Sequence, residues 1–256
     1  MQNALKAKLK RGEVTFGVTL GIGFLEVSES LGNLGLDYIT FDMQHTSLDT
    51  QTTQAMIQAI SYSPSVPMVR VVSNDLGLIN RALDIGAYSV IVPLVNTKED
   101  ATKAVRASKY APEGLRSWGP RRPTMRDPDY ANTANAEVMI IPQVETELAL
   151  KNLEDIVTTE GIDAIFVGPN DLSMSLGVFR QFDSSKFLKA VEKVVSTCKA
   201  HNVSPGLLAP AGPVETSIQQ GFKMIQLGGD LGFLTESVTR VLKNARSKVD
   251  TLAKKA

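Results

Sequence analysis

The chain has 256 residues, 43% of them hydrophobic and 21% charged, enough apolar material for one large core at a length that α/β barrels reach without splitting. Lys+Arg and Asp+Glu both number 27, so no net charge favours a polyanion, and no basic stripe interleaved with aromatics marks a nucleic-acid surface. The single cysteine, Cys198, excludes an internal disulfide and a cysteine-built zinc cage, and no apolar stretch is long enough to span a bilayer.

In chain order, the basic amphipathic segment 1–10 resembles a mitochondrial presequence. It has no secretory apolar region, however, and runs into an apolar segment without a spacer. That predicts a short helix capping a barrel, and a cytoplasmic enzyme. Short runs rich in Val, Ile and Leu follow at 15–20, 38–42, 68–71, 89–92, 139–144, 164–167, 204–208 and 224–227. Consecutive apolar positions mark strands buried on both faces. Helical spacing lies between them at 49–60, 97–108, 147–157, 184–199 and 231–244, with Cys198 on a helix face or in the core. Gly86 and Gly221 precede the fourth and eighth strands, where a helix ends and glycine takes the positive φ of the cap. Strand–helix alternation repeated eight times predicts an α/β fold, a (β/α)8 TIM barrel in a single domain over 1–256. A doubly wound open sheet is the second reading. Glu26 stands where a dinucleotide fingerprint after Gly21 and Gly23 needs its third glycine. Residues 110–136 form the one long connection, rich in Pro and Arg, on the face away from the chemistry and able to reach a neighbouring subunit. Residues 247–256 read as a frayed charged end.

The C-terminal strand ends, where barrel enzymes carry their catalytic groups, give Asp42, Gln44 and His45 after strand two and Arg70 on strand three. Strand five adds Gln143 and Glu145, and strand six adds Asn170 and Asp171. Asp42 lies three residues before His45, and a carboxylate on one ring nitrogen would fix the tautomer and raise the basicity of the other. The second histidine, His201, falls in a helix-to-strand turn on the opposite face and reads as solvated. Arg70 is either half of a structural ion pair or a fork for a carboxylate or a developing oxyanion. Glu145 and Asp171 read as ligands of a hard divalent cation, as a glycosidase pair, or as unrelated carboxylates. Few aromatics, 6% with one Trp, are available as sugar platforms. No predicted strand ends in lysine, and Lys223 lies at the wrong end of strand eight, so a Schiff-base aldolase is not supported.

These residues resemble the HpcH/HpaI family of metal-dependent (class II) pyruvate aldolases, which includes macrophomate synthase-like enzymes. The resemblance runs over nearly the whole chain. It rests on Asp42-Met-Gln-His45, Val69-Arg-Val71, Gly86-Ala-Tyr-Ser-Val-Ile-Val-Pro93, Pro112-Glu-Gly-Leu-Arg-Ser-Trp-Gly-Pro120, Gln143-Val-Glu-Thr146, Gly161-Ile-Asp-Ala-Ile-Phe-Val-Gly-Pro-Asn-Asp-Leu-Ser173, Gly206-Leu-Leu-Ala209 and Gly228-Gly-Asp-Leu-Gly232. It implies a hexamer, a trimer of dimers that exchange their last helix. It also implies a divalent ion (Mg²⁺, Mn²⁺ or Co²⁺) on Glu145 and Asp171, chelated by pyruvate. The substrate carboxylate would meet Gln143 and the segment Gly168, Pro169, Asn170 and Asp171, whose first helical amides favour an anion. Arg70 would stabilise the enolate oxygen. His45, oriented by Asp42, would handle protons through a metal-bound water. Asp84 and Arg121 would approach a neighbouring subunit's site.

One departure stands out: Gln44 replaces the glutamate of the family's Asp-x-Glu-His pattern, losing a charge. The expected reaction is reversible aldol cleavage of a 4-hydroxy-2-oxo acid to pyruvate and an aldehyde. The second reading is oxaloacetate decarboxylation or macrophomate synthase-like carbon–carbon bond formation through the same enolate. A non-catalytic binding barrel is the third. The aldehyde pocket, which could involve Leu208 and Met174, is not placed by the sequence.

Overall fold

The computed structural model describes residues 2–208 and 214–253. Eight parallel strands close into a barrel in sequence order: β1 (Thr15–Leu20), β2 (Tyr38–Asp42), β3 (Val66–Arg70), β4 (Ser89–Val92), β5 (Met139–Val144), β6 (Ala164–Val167), β7 (Ser204–Leu208) and β8 (Met224–Gly229). The helices are α1 (Ala4–Lys10), α2 (Leu25–Gly32), α3 (Thr50–Ala59), α4 (Leu76–Asp84), α5 (Lys98–Ser108), α6 (Arg121–Arg126), α7 (Tyr130–Glu137), α8 (Glu147–Lys151), α9 (Leu153–Val157), α10 (Pro169–Ser175), α11 (Ser185–Ala200), α12 (Val214–Gln220) and α13 (Asp230–Ala253). This is the expected single-domain (β/α)8 barrel.

Strand pleating splits the apolar side chains into two cores. Outward residues such as Ile39, Val69, Val90 and Ile140 pack under the helices. Inward residues, Tyr38, Met68, Ile91, Met139, Ile141, Phe166 and Met224, fill the barrel, and Leu5 and Leu9 of α1 close its N-terminal end. The interior is packed by pairing large with absent side chains. A Cβ on Gly17 would lie 2.3 Å from the Tyr38 ring, so β1 cedes to β2 the space that Tyr38 occupies.

Several expectations change. The long connection is not a bare loop: it carries α6 and α7. It is pinned by Arg116, which is buried, bonds Tyr130 Oη at 2.9 Å and stacks 4.5 Å over Tyr110. The helix expected at 147–157 breaks at Asn152, whose side chain donates to the Asn96 carbonyl at 2.8 Å. The last helix does not stop near residue 244, and residues 247–253 are helical rather than frayed; 254–256 lie outside the described residues, as does Ala209. Cys198 is buried on α11, and burial pushes its thiol up to about 12. Among the described residues no helix is long and apolar enough to cross a membrane.

Candidate active site

Parallel register sets Asp42 opposite Arg70 on adjacent strands, and both follow the inward pleat of Tyr38 and Met68. Arg70 Nε donates to Asp42 Oδ1 at 2.9 Å and Nη2 to Oδ2 at 2.6 Å. This side-on fork fixes the guanidinium plane and leaves Nη1 without a hydrogen bond among the described residues. Asp42 Oδ1 also accepts the backbone N–H groups of Gln44 (3.0 Å) and His45 (3.3 Å), turning the chain away from β2. The expectation that Asp42 orients the His45 ring is therefore corrected. The ladder holds Arg70 face to face with the carboxylate, whereas the turn aims the backbone amide of His45 at it, not the ring. His45 is exposed, and its ring makes no hydrogen bond among the described residues.

Glu145 follows β5 on the inward pleat of Ile141 and Gln143 and is 2% exposed. Its Oε1 accepts the Leu94 N–H at 2.7 Å, and its Oε2 accepts from Gln143 Nε2. Gly168 makes that packing possible: a Cβ there would lie 2.9 Å from Glu145 Oε2 and 3.0 Å from Gln143 Nε2. Burial raises the Glu145 carboxyl above its usual range. The bonds from Gln143 and Leu94 oppose this, the Asp171 charge adds to it and the Arg70 charge opposes it. Glu145 thus feels both Asp171 and Arg70 across the barrel mouth. Asp171 is exposed in the first turn of α10, behind Gly168 as N-cap and Pro169 at the first position. The first-turn amides, those of Asn170 and Asp171 among them, have no acceptor within the helix, and Asn170 Oδ1 is 3.4 Å from Arg180 Nε.

Asp42, Arg70, Gln143, Glu145, Gly168, Pro169, Asn170 and Asp171 are thus gathered at the C-terminal end of the barrel, with His45 at its rim. The buried oxygens Gln143 Oε1 and Gln44 Oε1 lack a hydrogen-bond partner among the described residues. Two carboxylates with extra oxygen acceptors are the donor set of a hard divalent cation. No group of three or more His, Cys, Asp or Glu suited to a metal occurs among the described residues, so such an ion would keep positions open for substrate.

Asp84 and Arg121 do not join this site. Asp84 ends α4 at the opposite face, where its Oδ1 accepts from Arg116 Nη2 at 2.8 Å, and Arg121 is exposed at the start of α6. His201, also on that face, is not merely solvated: its Nε2 pairs with Glu154 Oε1. The residue the sequence reading missed is Leu94. Its φ of 54° is unusual for a branched side chain and costs of order 1–3 kcal/mol, and the strained turn aims its N–H at Glu145. A backbone donor leaves no side-chain signal at a strand end.

A closed parallel barrel with convergent carboxylates, a forked arginine and a histidine at its C-terminal mouth is the architecture of a barrel enzyme. The sequence model of the HpcH/HpaI aldolase/citrate lyase family matches residues 26–237. The chain belongs to that family and is a carbon–carbon lyase. It is 34% identical over 243 residues to the 5-keto-4-deoxy-D-glucarate aldolase of Salmonella paratyphi C, covering 93% of this chain and 95% of that one. An HpcH/HpaI aldolase/citrate lyase family protein from Burkholderia cenocepacia superposes with a TM-score of 0.89 at 32% identity, covering 96% of this chain and all of the other. Macrophomate synthase superposes with a TM-score of 0.87 at 26% identity, covering 97% and 90% of the two chains.

Proposed function

We propose that this aldolase cleaves a 4-hydroxy-2-oxo acid reversibly to pyruvate and an aldehyde. The convergence of Arg70, Gln143, Glu145 and Asp171 at one barrel mouth carries this reading. Glu145 and Asp171 would hold Mg²⁺, Mn²⁺ or Co²⁺, supported by their oxygen-only donor set and by the Gln143 oxygen beside Glu145, unpartnered among the described residues. When bound, the ion supplies Lewis-acid charge to a 2-oxo acid. Arg70, locked by Asp42, directs Nη1 at the enolate oxygen as charge develops there. Gln143 and the segment Gly168, Pro169, Asn170 and Asp171 receive the substrate carboxylate, the first-turn amides donating to it. His45, exposed at the rim, exchanges the proton of the aldol hydroxyl.

The assay is pyruvate release from a panel of 4-hydroxy-2-oxo acids, 5-keto-4-deoxy-D-glucarate among them, with the protein stripped of metal and then resupplied. Full turnover after thorough chelation would sink the metal assignment. The resemblance to macrophomate synthase supports a second reading, oxaloacetate decarboxylation or bond formation through the same enolate. Pyruvate formed from oxaloacetate faster than from every hydroxy-oxo acid would favour it. A non-catalytic barrel would exchange no methyl hydrogen of pyruvate with solvent.

We also propose a cytoplasmic homo-oligomer, a hexamer of paired subunits. The exposed apolar row on α13 supports the pairing. Asp84, held by Arg116 through Oδ1, and the exposed Arg121 lie on the face opposite their own site and would approach a neighbour's. The unpaired, buried Cys198 fits a reducing compartment.

A further inference from the structure

The arginine-rich segment builds a second feature that the aldolase reading does not use. Arg122 and Arg126 stand four residues apart on α6, hence on one face. Both reach the turn after α3: Arg122 Nη2 donates to Ser61 Oγ at 2.8 Å, and Arg126 Nη2 to the Ser61 carbonyl at 2.6 Å. With Tyr88, Pro64 and Pro67 they line a cavity of about 140 Å³ at the N-terminal end of the barrel, across the molecule from Glu145. No Asp or Glu lines it among the described residues. Arg122 Nε is buried without a hydrogen-bond partner among the described residues. It packs over Gly86, where a Cβ would lie 3.3 Å from it. Burial, and then the nearby Arg126 charge, depress the Arg122 pKa, while Tyr88 opposes this.

We propose that this cavity binds a phosphate-class dianion. Two guanidinium groups match a charge of two. Their remaining donors and the Tyr88 hydroxyl, which has no partner among the described residues, belong to three separate side chains lining the cavity, and a tetrahedral oxyanion accepts from several donors at once. A planar carboxylate is saturated by one fork and leaves the second cation unpaired. The volume is roughly ten times the 10–15 Å³ or so that admits one water. It takes a phosphate group, either free or as the end of a phosphorylated metabolite.

The test is calorimetric titration of the full-length protein with inorganic phosphate and, separately, with glucose 6-phosphate. Saturable binding at one site per chain is expected, weakened roughly tenfold or more by Arg122→Gln or Arg126→Gln and unchanged by Glu145→Gln. Tighter binding of the sugar phosphate identifies an ester as the source, tighter inorganic phosphate the free ion, and both support the site. Arg126 is exposed, so Arg126→Gln reports even if Arg122→Gln fails to fold. Absence of saturable binding overturns the proposal, as does binding indifferent to both arginine variants. So does a change of oligomeric state in Arg126→Gln without phosphate binding, which would assign the cavity to a carboxylate of a second copy.

Discussion

Arg70 and Asp42 are each nearly buried, with side chains 11% and 5% exposed. Two charges withdrawn from water repay that cost only when both remain paired. Asp42→Ala strands a buried guanidinium and releases the backbone turn at Gln44 and His45, so a loss of about 3 kcal/mol is expected, read by chemical denaturation at fixed protein concentration. Asp42→Asn, which keeps an acceptor, should lose less; equal losses would count against the pairing. This pair also marks where the sequence was opaque. Spacing of three put Asp42 beside His45, and only the ladder register brings in a partner 28 residues away. Glu145 is legible because it follows an apolar strand directly, whereas Asp171 stands four residues past β6, in the first turn of α10. Glu145 also titrates informatively. Its folded pKa is raised above 4.5, chiefly by burial, so the metal-free fold gains stability from this group below 4.5 and loses it as pH rises through the folded value. A cation needs the ionised form. Metal affinity should therefore begin to fall on acidification while still above the ordinary carboxylate range, and calorimetry at stepped pH that found it flat down to 4.5 would contradict this.

At the level of elements, the strands were readable because burial on both faces leaves unbroken apolar runs, and six of the eight keep their expected bounds. Helices were less so. For α4 the sequence marks only the end, at Gly86, although Asp75 caps its start through the Gly77 and Leu78 amides and Ile79, Ala82 and Leu83 recur on its buried face. Its Asn80 and Arg81 dilute the apolar signal. The break between α8 and α9 depends on Asn152 finding Asn96, 56 residues away, which no local pattern encodes. Tight interior fit makes a sharper test of the strands. Gly17→Ala drives a methyl into the Tyr38 ring and should cost about 1–3 kcal/mol or more. Combining it with Tyr38→Leu should cost less than the sum of the two single changes, because the clash is removed. Strict additivity in that double-mutant cycle would mean that Gly17 is not ceding space to Tyr38.

For the whole molecule, the decisive element is α13. Twenty-four residues make a rod of about 36 Å, yet its apolar side chains do not turn inward. Leu231, Leu234, Val238, Val241 and Leu252 are 55–68% exposed. Leu231, Val238, Ala245 and Leu252 recur every seven residues, with Leu234 and Val241 between them, the stripe of a helix that packs along another helix. A monomer rarely leaves such a row to water, so a second copy is the partner the pattern fits. Leu234→Glu and Val241→Glu put a charge into that seam without touching the barrel core, since both side chains already lie outside it. Each should shift the assembly toward smaller species in sedimentation velocity at micromolar protein, while the far-ultraviolet spectrum stays that of the folded barrel. If subunits also complete one another's sites through Asp84, aldol turnover should fall with dissociation and return as protein concentration is raised. Unchanged sedimentation in both variants would remove α13 from the interface.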